Sequence, residues 1–334
     1  MGRSAVKILL LLAAVWGAWW AIATTGLQQG VTAWRDAPRA SGVRITTQQM
    51  TRAGFPLRLE TVVQDITIAS ADGQSRVDVP EATVSAPVYW PGHPKVSIPT
   101  GEIGITSHST AMTLSHEGAE AAVRLRPNTG LTLESSRIIM ASPRLDLVEG
   151  RIASAQAIQA FLLERDTPAQ YRFDFNAVDL TAGSVMRQAM RLPDAWPVMF
   201  EHFDAAGDIT LDRPLDRSAR QGNRPQPIAL RIDTARAVWG EIGVTFAADV
   251  TVAAGGILTG TATLRAENWQ RLLDLAQNTG TLTPEMRPRM ESMMTLLAGM
   301  SGGGNSLDAQ ITITDGQIRL GFFPLGAAPR LVIP

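Results

Sequence analysis

The part of the sequence that constrains the fold most is residues 242–264, IGVTFAADVTVAAGGILTGTATL. Up to Val252, apolar residues take every second position and polar residues lie between several of them. This is the period of a strand with one buried face. After Gly255-Gly256 the alternation resumes and continues to the end of the segment. The segment therefore predicts two long antiparallel strands joined by a glycine hairpin.

Similar alternating runs, separated by turn signals, extend from residue 43 to residue 150. The turn signals are Asp72-Gly73, Pro91-Gly92, Thr100-Gly101, Glu117-Gly118 and Asn128-Thr129-Gly130. No helix of ordinary length fits between these turns, so the region predicts hairpins of one antiparallel sheet and argues against a parallel α/β fold. The parity of the apolar residues changes after Val63, which predicts a bulge or bend at residues 63–65.

Helical spacing of apolar residues occurs in a few segments. These are residues 154–162, 185–190, 269–276 and 283–299. In the first, Ser154 is a suitable cap for a helix face of Ile158, Phe161 and Leu162. In the last, Pro288 must lie in or near the first turn, so that helix begins later than its cap-like first residue suggests.

Together these elements predict a mainly β, or β-rich α+β, protein. Its expected architecture is a long curved antiparallel sheet folded on itself, as an open barrel or taco-like shape, with a few helices on one side and an N-terminal transmembrane helix. A single body over residues 43–334 is expected, because all-β sheets of this length often form one body. The Pro- and Arg-rich loop 213–227 is the candidate internal boundary.

The N-terminus has the pattern of an export signal. Arg3 and Lys7 form a positive flank before an apolar run over residues 8–23. A signal anchor over residues 1–25 and a juxtamembrane segment over residues 26–42 are predicted. We expect a single-pass protein of the bacterial inner membrane, with its N-terminus in the cytoplasm and its bulk in the periplasm.

Cleavage is the alternative at this terminus. Ala21-Ile22-Ala23 offers the small residues that signal peptidase needs, and cutting after Ala23 would leave a soluble periplasmic protein. Three tryptophans favour the uncleaved anchor, because they lie where an interfacial aromatic belt is expected. They are Trp16, Trp19 and Trp20.

Composition excludes several classes of function. The net charge is -1 and there is no basic tract, which argues against nucleic-acid binding. Cysteine is absent, so disulfides and thiolate metal sites are excluded. The four histidines are scattered and lack a carboxylate at ligand spacing. They are His93, His108, His116 and His202. We therefore expect no catalytic residues, no metal site, no cofactor and no enzyme activity.

A methionine stripe is the most unusual pattern in the chain. Five of the 12 methionines lie between Met286 and Met300. The predicted stripe comprises Met286, Met290, Met293, Met294 and Leu297, with Trp269 in the preceding helix. One interpretation is a helix packed on the sheet as core. The other is an adaptable lid for acyl chains or a partner helix, because thioether side chains are flexible. The lid would have a hinge of Gly299, Gly302, Gly303 and Gly304.

Several motifs resemble those of a known family. They are Gly54-Phe55-Pro56-Leu57-Arg58, Trp90-Pro91-Gly92, Asp194-Ala195-Trp196-Pro197, Asp315-Gly316-Gln317-Ile318-Arg319-Leu320-Gly321 and Pro324-Leu325-Gly326. With the N-terminal anchor, they resemble a family of uncharacterised alphaproteobacterial envelope proteins, a domain of unknown function. A second similarity, in the order of hairpin, Asn268-Trp269 helix and terminal Asp-Gly hairpin, is to AsmA-like proteins. That similarity implies anchoring in the inner membrane and a role in lipid traffic or envelope assembly.

The expected function follows from the predicted sheet rather than from a catalytic motif. A curved sheet whose apolar face lacks a second sheet leaves a groove, and apolar grooves bind apolar ligands. Lipid or acyl-chain binding, or assistance to lipid and outer-membrane assembly, is the leading hypothesis. The alternative is a structural or assembly factor that recruits other envelope proteins through a sheet edge or helix contacts.

Overall fold

The computed structural model describes residues 2–36, 42–90, 92–221, 224–300, 305–320 and 323–333. Within them the fold is mainly β and its strand pairs are antiparallel, as predicted. Packing divides the chain into two compact units, Met1–Leu125 and Arg126–Pro334, called unit 1 and unit 2. The loop 213–227, predicted as a candidate boundary, lies inside unit 2.

Unit 1 consists of one long helix and a set of hairpins. Its described elements are α1 (Gly2–Asp36), β1 (Arg44–Thr46), β2 (Gln49–Ala53), β3 (Arg58–Ala69), β4 (Ser75–Pro87), β5 (Lys95–Ile98), β6 (Gly101–Ser107), β7 (Thr110–His116) and β8 (Ala119–Leu125). Strands β1 and β2 both pair with β3, β3 pairs with β4, and β4 pairs with both β5 and β6. Strands β5 and β8 form another pair, as do β6 and β7. The hairpins predicted at Asp72-Gly73 and Pro91-Gly92 are confirmed. The turns at Thr100-Gly101 and Glu117-Gly118 instead join strands whose described partners lie elsewhere in the sheet, because β5 pairs with β8 and β6 with β7.

Local backbone geometry in unit 1 agrees with its turn residues. The amide of Arg58 donates to the carbonyl of Gly54 at 2.9 Å, which closes the turn that leads into β3. Asp65 has φ 52° inside β3, at the predicted irregularity. The alternating run that begins at residue 43 is divided into two short strands, β1 and β2.

Helix α1 continues through the segment predicted as juxtamembrane as far as Asp36, and it lies against β1 and β3. Alternate residues of β3 are buried in unit 1, namely Leu59, Thr61 and Val63. Over the described part of the chain, no helix combines the length and hydropathy required to cross a bilayer.

Unit 2 contains the larger set of strands and three short helices. Its described elements are β9 (Leu133–Ala141), β10 (Arg144–Leu147), β11 (Gly150–Ser154), β12 (Ala157–Glu164), β13 (Gln170–Val178), β14 (Thr181–Ala182), α2 (Ser184–Ala189), β15 (His202–Leu211), a 3-10 turn (Arg217–Gln221), β16 (Pro227–Trp239), β17 (Ile242–Ala253), β18 (Ile257–Glu267), α3 (Trp269–Asn278), α4 (Arg287–Met300), β19 (Ser306–Thr314), β20 (Gln317–Leu320) and β21 (Phe323–Ala327).

The main sheet of unit 2 is a continuous antiparallel series. Its order is β9-β12-β13-β15-β16-β17-β18-β19-β20-β21. Strands β10, β11 and β14 form a smaller ladder beside it. No pairing within the described residues of unit 2 returns β21 to β9, so this sheet is open.

The hairpin predicted from residues 242–264 is confirmed. Val252 pairs with Leu258 across the turn, and Gly255 and Gly256 have φ 75° and 76°, which glycine adopts without steric cost. Asp315 and Gly316 close the β19–β20 hairpin in the same way, with φ 49° and 74°.

The helix predicted at residues 154–162 is wrong, because these residues belong to β11 and β12. Ile158 and Leu162 lie on one face of β12, whereas Phe161 and Leu163 lie on the other and are exposed. A strand that is apolar on both faces loses its period of two. Its apolar residues then resemble the spacing of a helix.

The other helix predictions are confirmed by α2, α3 and α4. Pro288 is the second residue of α4, where proline is tolerated because the amide there has no partner inside the helix.

Candidate functional site: an apolar face of unit 2

The candidate site consists of apolar side chains that lie opposite one another on the main sheet of unit 2. Directly paired residues of antiparallel strands point to the same side of a sheet. One such row comprises Ile138, Ala160, Phe175, Ala205, Ala235, Phe246, Leu264 and Ala309. With about 4.8 Å between strands, these eight positions span about 34 Å. We call this row and the apolar rows beside it the apolar face.

The apolar face is partly open to solvent. Ile138 is 51% exposed and Phe203 is 38% exposed, whereas Phe246 and Leu264 are partly buried. A Cβ at Gly207 would meet the ring of Phe173 at 2.7 Å, so glycine there allows that ring to lie flat on the sheet. Continuous apolar surface that is partly exposed is uncommon on monomeric proteins and often marks a binding surface.

One end of the apolar face is covered by α3 and α4. Ala266 and Leu307, on neighbouring strands, form a buried cluster with Trp269 and Leu273 of α3 and Ala298 of α4. Asn268 has left-handed backbone geometry, φ 54°, and its amide nitrogen donates to the carbonyl of Asn305 at 2.7 Å. The chain therefore turns sharply after β18, and Trp269 enters the cluster.

The residues of the predicted stripe do not all share one environment. Met290 and Met294 pack against the α3–α4 cluster, whereas Met286 is 51% exposed and precedes α4. Met293 is partly buried. Gly299 is exposed inside α4. The side chain of Leu297 and the predicted hinge residues Gly302, Gly303 and Gly304 lie outside the described residues.

An aromatic cluster adjoins the same end of the apolar face. The rings of Phe200 and Trp239 are stacked with centroids 4.5 Å apart, and Phe203 has edge contacts with Phe200 and Phe175 at 5.9 and 6.2 Å. Trp196 meets Trp239 edge-on at 6.1 Å. Apart from the motif that contains Trp196, no sequence pattern predicted this cluster.

The loop that carries Trp196 is held by one arginine. Arg187 of α2 donates from Nη1 to the carbonyls of Trp196 and Pro197 at 2.9 and 3.2 Å, and from Nη2 to that of Pro193 at 3.1 Å. Trp239 Nε1 donates to the carbonyl of Pro197 at 2.9 Å. The Asp194-Ala195-Trp196-Pro197 motif therefore presents its carbonyls to fixed donors, which orients its indole.

The other end of the apolar face is covered by residues 328–333. Ala328 and Leu331 pack on a buried cluster that includes Val250 and Leu258, and Ile333 packs beside Tyr171. The amide of Leu331 donates to the carbonyl of Gly256 at 3.0 Å. Gln226 binds both backbone groups of Ile333, each at 3.1 Å. The two ends are thus closed by different segments.

Residues 20–329 match the model of a bacterial family described as "Uncharacterized protein conserved in bacteria (DUF2125)". The chain belongs to the DUF2125 family. The resemblance to a domain of unknown function is thereby confirmed, and the match begins inside α1 and includes the strands of both units. No curated protein and no solved structure matches the chain.

From β13 to β19, the opposite face of the unit 2 sheet in this DUF2125 chain is mainly polar. Arg165 donates to both oxygens of Asp208 at 2.7 and 3.2 Å, which lowers the pKa of that carboxyl below its ordinary value. Arg265 binds Asp308 in the same way at 2.6 and 2.8 Å. Exposed pairs of this kind contribute little to stability but keep a face hydrated. Five threonines of the 242–264 hairpin lie on this surface, namely Thr245, Thr251, Thr259, Thr261 and Thr263.

The histidines of the DUF2125 chain lie in separate places. His202 Nδ1 is 3.2 Å from a guanidinium nitrogen of Arg236, and His93 contacts Trp90 edge-on. His116 is buried, and its Nδ1 accepts from the amide of Gly118 at 3.1 Å. Burial lowers the pKa of His116. Within the described residues, no group of three His, Asp or Glu side chains is placed to hold a metal ion.

Proposed function

We propose that this DUF2125 protein is a non-catalytic, membrane-anchored protein of the bacterial periplasm that binds lipid through the apolar face of unit 2. It would thereby assist lipid traffic or outer-membrane assembly. The observation that carries the proposal is the partly exposed row from Ile138 to Leu264. A row of side chains without hydrogen-bonding groups recognises a ligand by its apolar surface.

The dimensions of the face suit an acyl chain. The hydrocarbon core of a bilayer is about 30 Å thick and contains two acyl chains end to end, so one chain is about 15 Å long. The row of about 34 Å therefore has room for the tails of a phospholipid. A sheet that curves towards its own apolar face, as expected from the sequence, would shield these tails further.

The α3–α4 cover would act as a lid. Met290 and Met294 present flexible thioethers to the cluster at one end of the face, and such side chains repack easily around a bound chain. The segment 328–333 is held by backbone and amide hydrogen bonds, so we assign it a fixed role.

Native mass spectrometry of the full chain after gentle extraction tests the proposal. We expect phospholipid to co-purify with the protein and to be lost from Phe246→Asp, which places a charge on the apolar face. Thr245→Asp is the matched control, because the adjacent strand residue points to the polar face. A charge at Phe246 also lowers stability, so Ile138→Asp, at a half-exposed position, is the second variant.

Two outcomes would contradict lipid binding by this face. One is a folded Ile138→Asp or Phe246→Asp variant that retains as much lipid as Thr245→Asp. The other is a wild-type protein that carries no lipid and takes up none from mixed phospholipid micelles. Co-purification of an envelope protein instead of lipid would favour the assembly-factor alternative.

A further inference from the structure

Two adjacent turns of unit 1 expose large apolar side chains at one place. Phe55, Leu57 and Tyr89 are 62%, 69% and 79% exposed. The amide of Val88 donates to the carbonyl of Leu57 at 3.3 Å, which joins the turn before β3 to the turn after β4. We call residues 55–58 and 88–90 the tip of unit 1. An exposed aromatic and aliphatic group of this kind is typical of a surface that meets another apolar phase.

The tip is built around three indoles of α1. Trp16 Nε1 donates to the carbonyl of Pro56 at 3.0 Å, Trp20 Nε1 to that of Arg58 at 2.8 Å, and Trp19 Nε1 to that of Val88 at 3.3 Å. The ring of Phe55 contacts Trp20 edge-on at 5.2 Å. Each indole therefore satisfies its polar group on the tip while its ring adds to the apolar surface.

The N-terminal part of helix α1 extends beyond the tip. Farther along the helix, Gln28 accepts from Arg52 at 2.6 Å and Arg35 donates to Thr47 at 3.4 Å, so the helix runs beside β2 away from the tip. The residues before Trp16 consequently extend beyond the tip by about 20 Å, at 1.5 Å per residue. Their sequence includes the apolar run ILLLLAA at residues 8–14.

The length of the proposed anchor determines where the tip must lie. A helix needs about 20 residues to cross the hydrocarbon core. A membrane span that begins at Lys7 would end beyond Trp20. The hairpins of unit 1, however, already contact this helix from Trp16 onwards. The helix beyond the tip is thus shorter than the hydrocarbon core is thick, so an anchored chain must hold the tip at least as deep as the membrane interface, where tryptophan and tyrosine side chains are enriched.

A cavity beside the tip is lined by basic groups. It has a volume of about 350 Å³, and its lining includes Leu57, Arg58, Ser85, Tyr89, His93 and Lys95. Among the described residues, none offers the Arg58 side chain an ion pair or a hydrogen bond. Lys95 pairs with Glu120 at 3.1 Å. An unpaired guanidinium next to apolar side chains suits an anionic group at a lipid surface.

We propose that the tip of unit 1 lies in the membrane interface and binds the phosphate of an anionic phospholipid between Arg58, His93 and Lys95. The inference rests on the membrane anchoring in the proposed function but is independent of lipid binding by unit 2. The positive flank of Arg3 and Lys7 lies at the other end of the proposed anchor, so it does not supply this charge.

The depth of the tip can be measured with a single cysteine, because the chain has none of its own. The full chain is reconstituted in phosphatidylglycerol nanodiscs that contain a nitroxide-labelled lipid, with a fluorophore at Leu57→Cys. Gln74→Cys is the control, since it is exposed in the turn at the opposite end of the β3–β4 hairpin, about 40 Å away. We expect several-fold stronger quenching at Leu57 than at Gln74.

Each result decides between the two proposals. Equal quenching at the two positions, in protein that remains with the nanodiscs, overturns the tip inference and leaves the anchor intact. Protein that does not remain with the nanodiscs overturns the anchor of the proposed function and the tip together.

The anionic specificity is tested by native mass spectrometry of protein released from nanodiscs of equal phosphatidylglycerol and phosphatidylcholine. We expect preferential retention of phosphatidylglycerol and a several-fold loss of that preference in Arg58→Gln with Lys95→Gln. Arg44→Gln is the control, because Arg44 is an exposed arginine of β1 that pairs with Ala69 at the far end of β3. An unchanged preference in the double variant overturns the phosphate site.

Discussion

Strand β3 of unit 1 and strand β17 of unit 2 have similar alternating sequences but differ in how their apolar faces are covered. Leu59, Thr61 and Val63 of β3 are buried, and α1 lies along that strand. On the unit 2 sheet, Phe246 and Leu264 remain partly exposed, because α3, α4 and residues 328–333 cover the two ends of the face. The alternation of apolar residues thus shows which face of a strand is apolar. Segments elsewhere in the chain determine how much of that face is buried.

The largest expected effect is a difference in stability loss when a leucine on each of the two apolar faces is replaced by alanine. Leu59→Ala removes a side chain that is 0% exposed, so we expect a loss of about 2–5 kcal/mol in the unfolding free energy of unit 1. Leu264→Ala should cost unit 2 only about 1 kcal/mol, because its site already contacts solvent. Pulse proteolysis in urea, with fragments assigned to each unit, measures both. Equal losses would contradict the difference in coverage.

Two negative charges introduced into α4 test whether α4 can leave the sheet without unfolding it. Met290→Glu with Met294→Glu should displace α4 from Trp269 at a cost of about 2–3 kcal/mol, because both side chains pack on the buried cluster. We expect faster proteolysis within residues 279–300, loss of fluorescent phospholipid binding and an unchanged β-sheet circular dichroism spectrum. Met286→Glu, at an exposed methionine before α4, should change none of these. Unfolding of the whole unit would instead identify α4 as core.

A buried hydroxyl on the covered face gives a smaller effect of opposite sign. Thr61 is fully buried, and its Oγ1 has no hydrogen-bond partner within the described residues. Thr61→Val should therefore stabilise unit 1 by about 1–2 kcal/mol. Thr67→Val on the same strand is the control and should destabilise, because Thr67 Oγ1 donates to Asp78 at 2.6 Å. Chemical denaturation gives both signs, and a destabilised Thr61→Val variant would refute the argument.

The smallest expected effect is a pH dependence confined to unit 1. Burial holds the pKa of His116 below its ordinary value of 6.5, and Nδ1 already accepts from Gly118. The unfolded chain then binds a proton more readily than the folded one, so this contribution to stability is complete above pH 6.5 and falls as the pH is lowered.

Thermal unfolding of unit 1 at several pH values measures this contribution. His116→Asn retains an acceptor for Gly118 but does not titrate, so its melting temperature should depend less on pH than that of the wild type. The same pH dependence in both proteins would assign the effect to other groups.

The positions of several strands and helices were predictable from sequence, because single residues determine where the turns and the helix start lie. The glycines at 255 and 256, the Asp315-Gly316 pair and Pro288 each have a conformational preference that neighbours rarely override. Both long hairpins and the start of α4 were located from them. The same reasoning failed at residues 157–164, since Phe161 and Leu163 make the second face of β12 apolar as well.

The composition of the site was harder to predict than the strands that carry it. The aromatic cluster brings together Phe175, Phe200 and Trp239, which are distant in sequence. No local sequence pattern predicts contacts between such residues. The methionine stripe was found, but its spacing did not distinguish exposed Met286 from partly buried Met290. The docking of Trp16 and Trp20 on the tip likewise depends on pairing with residues about 40 positions away.

The placement of residues 328–333 has a consequence for the order in which the molecule is assembled. This segment follows every strand of the apolar face in the chain, yet Leu331 and Ile333 close one end of it. During synthesis the strands therefore exist before their cover at that end. Exposed apolar surface in such intermediates promotes aggregation. The interval between the emergence of β20 and the docking of Ile333 on Gln226 is thus when a newly made chain most needs a chaperone.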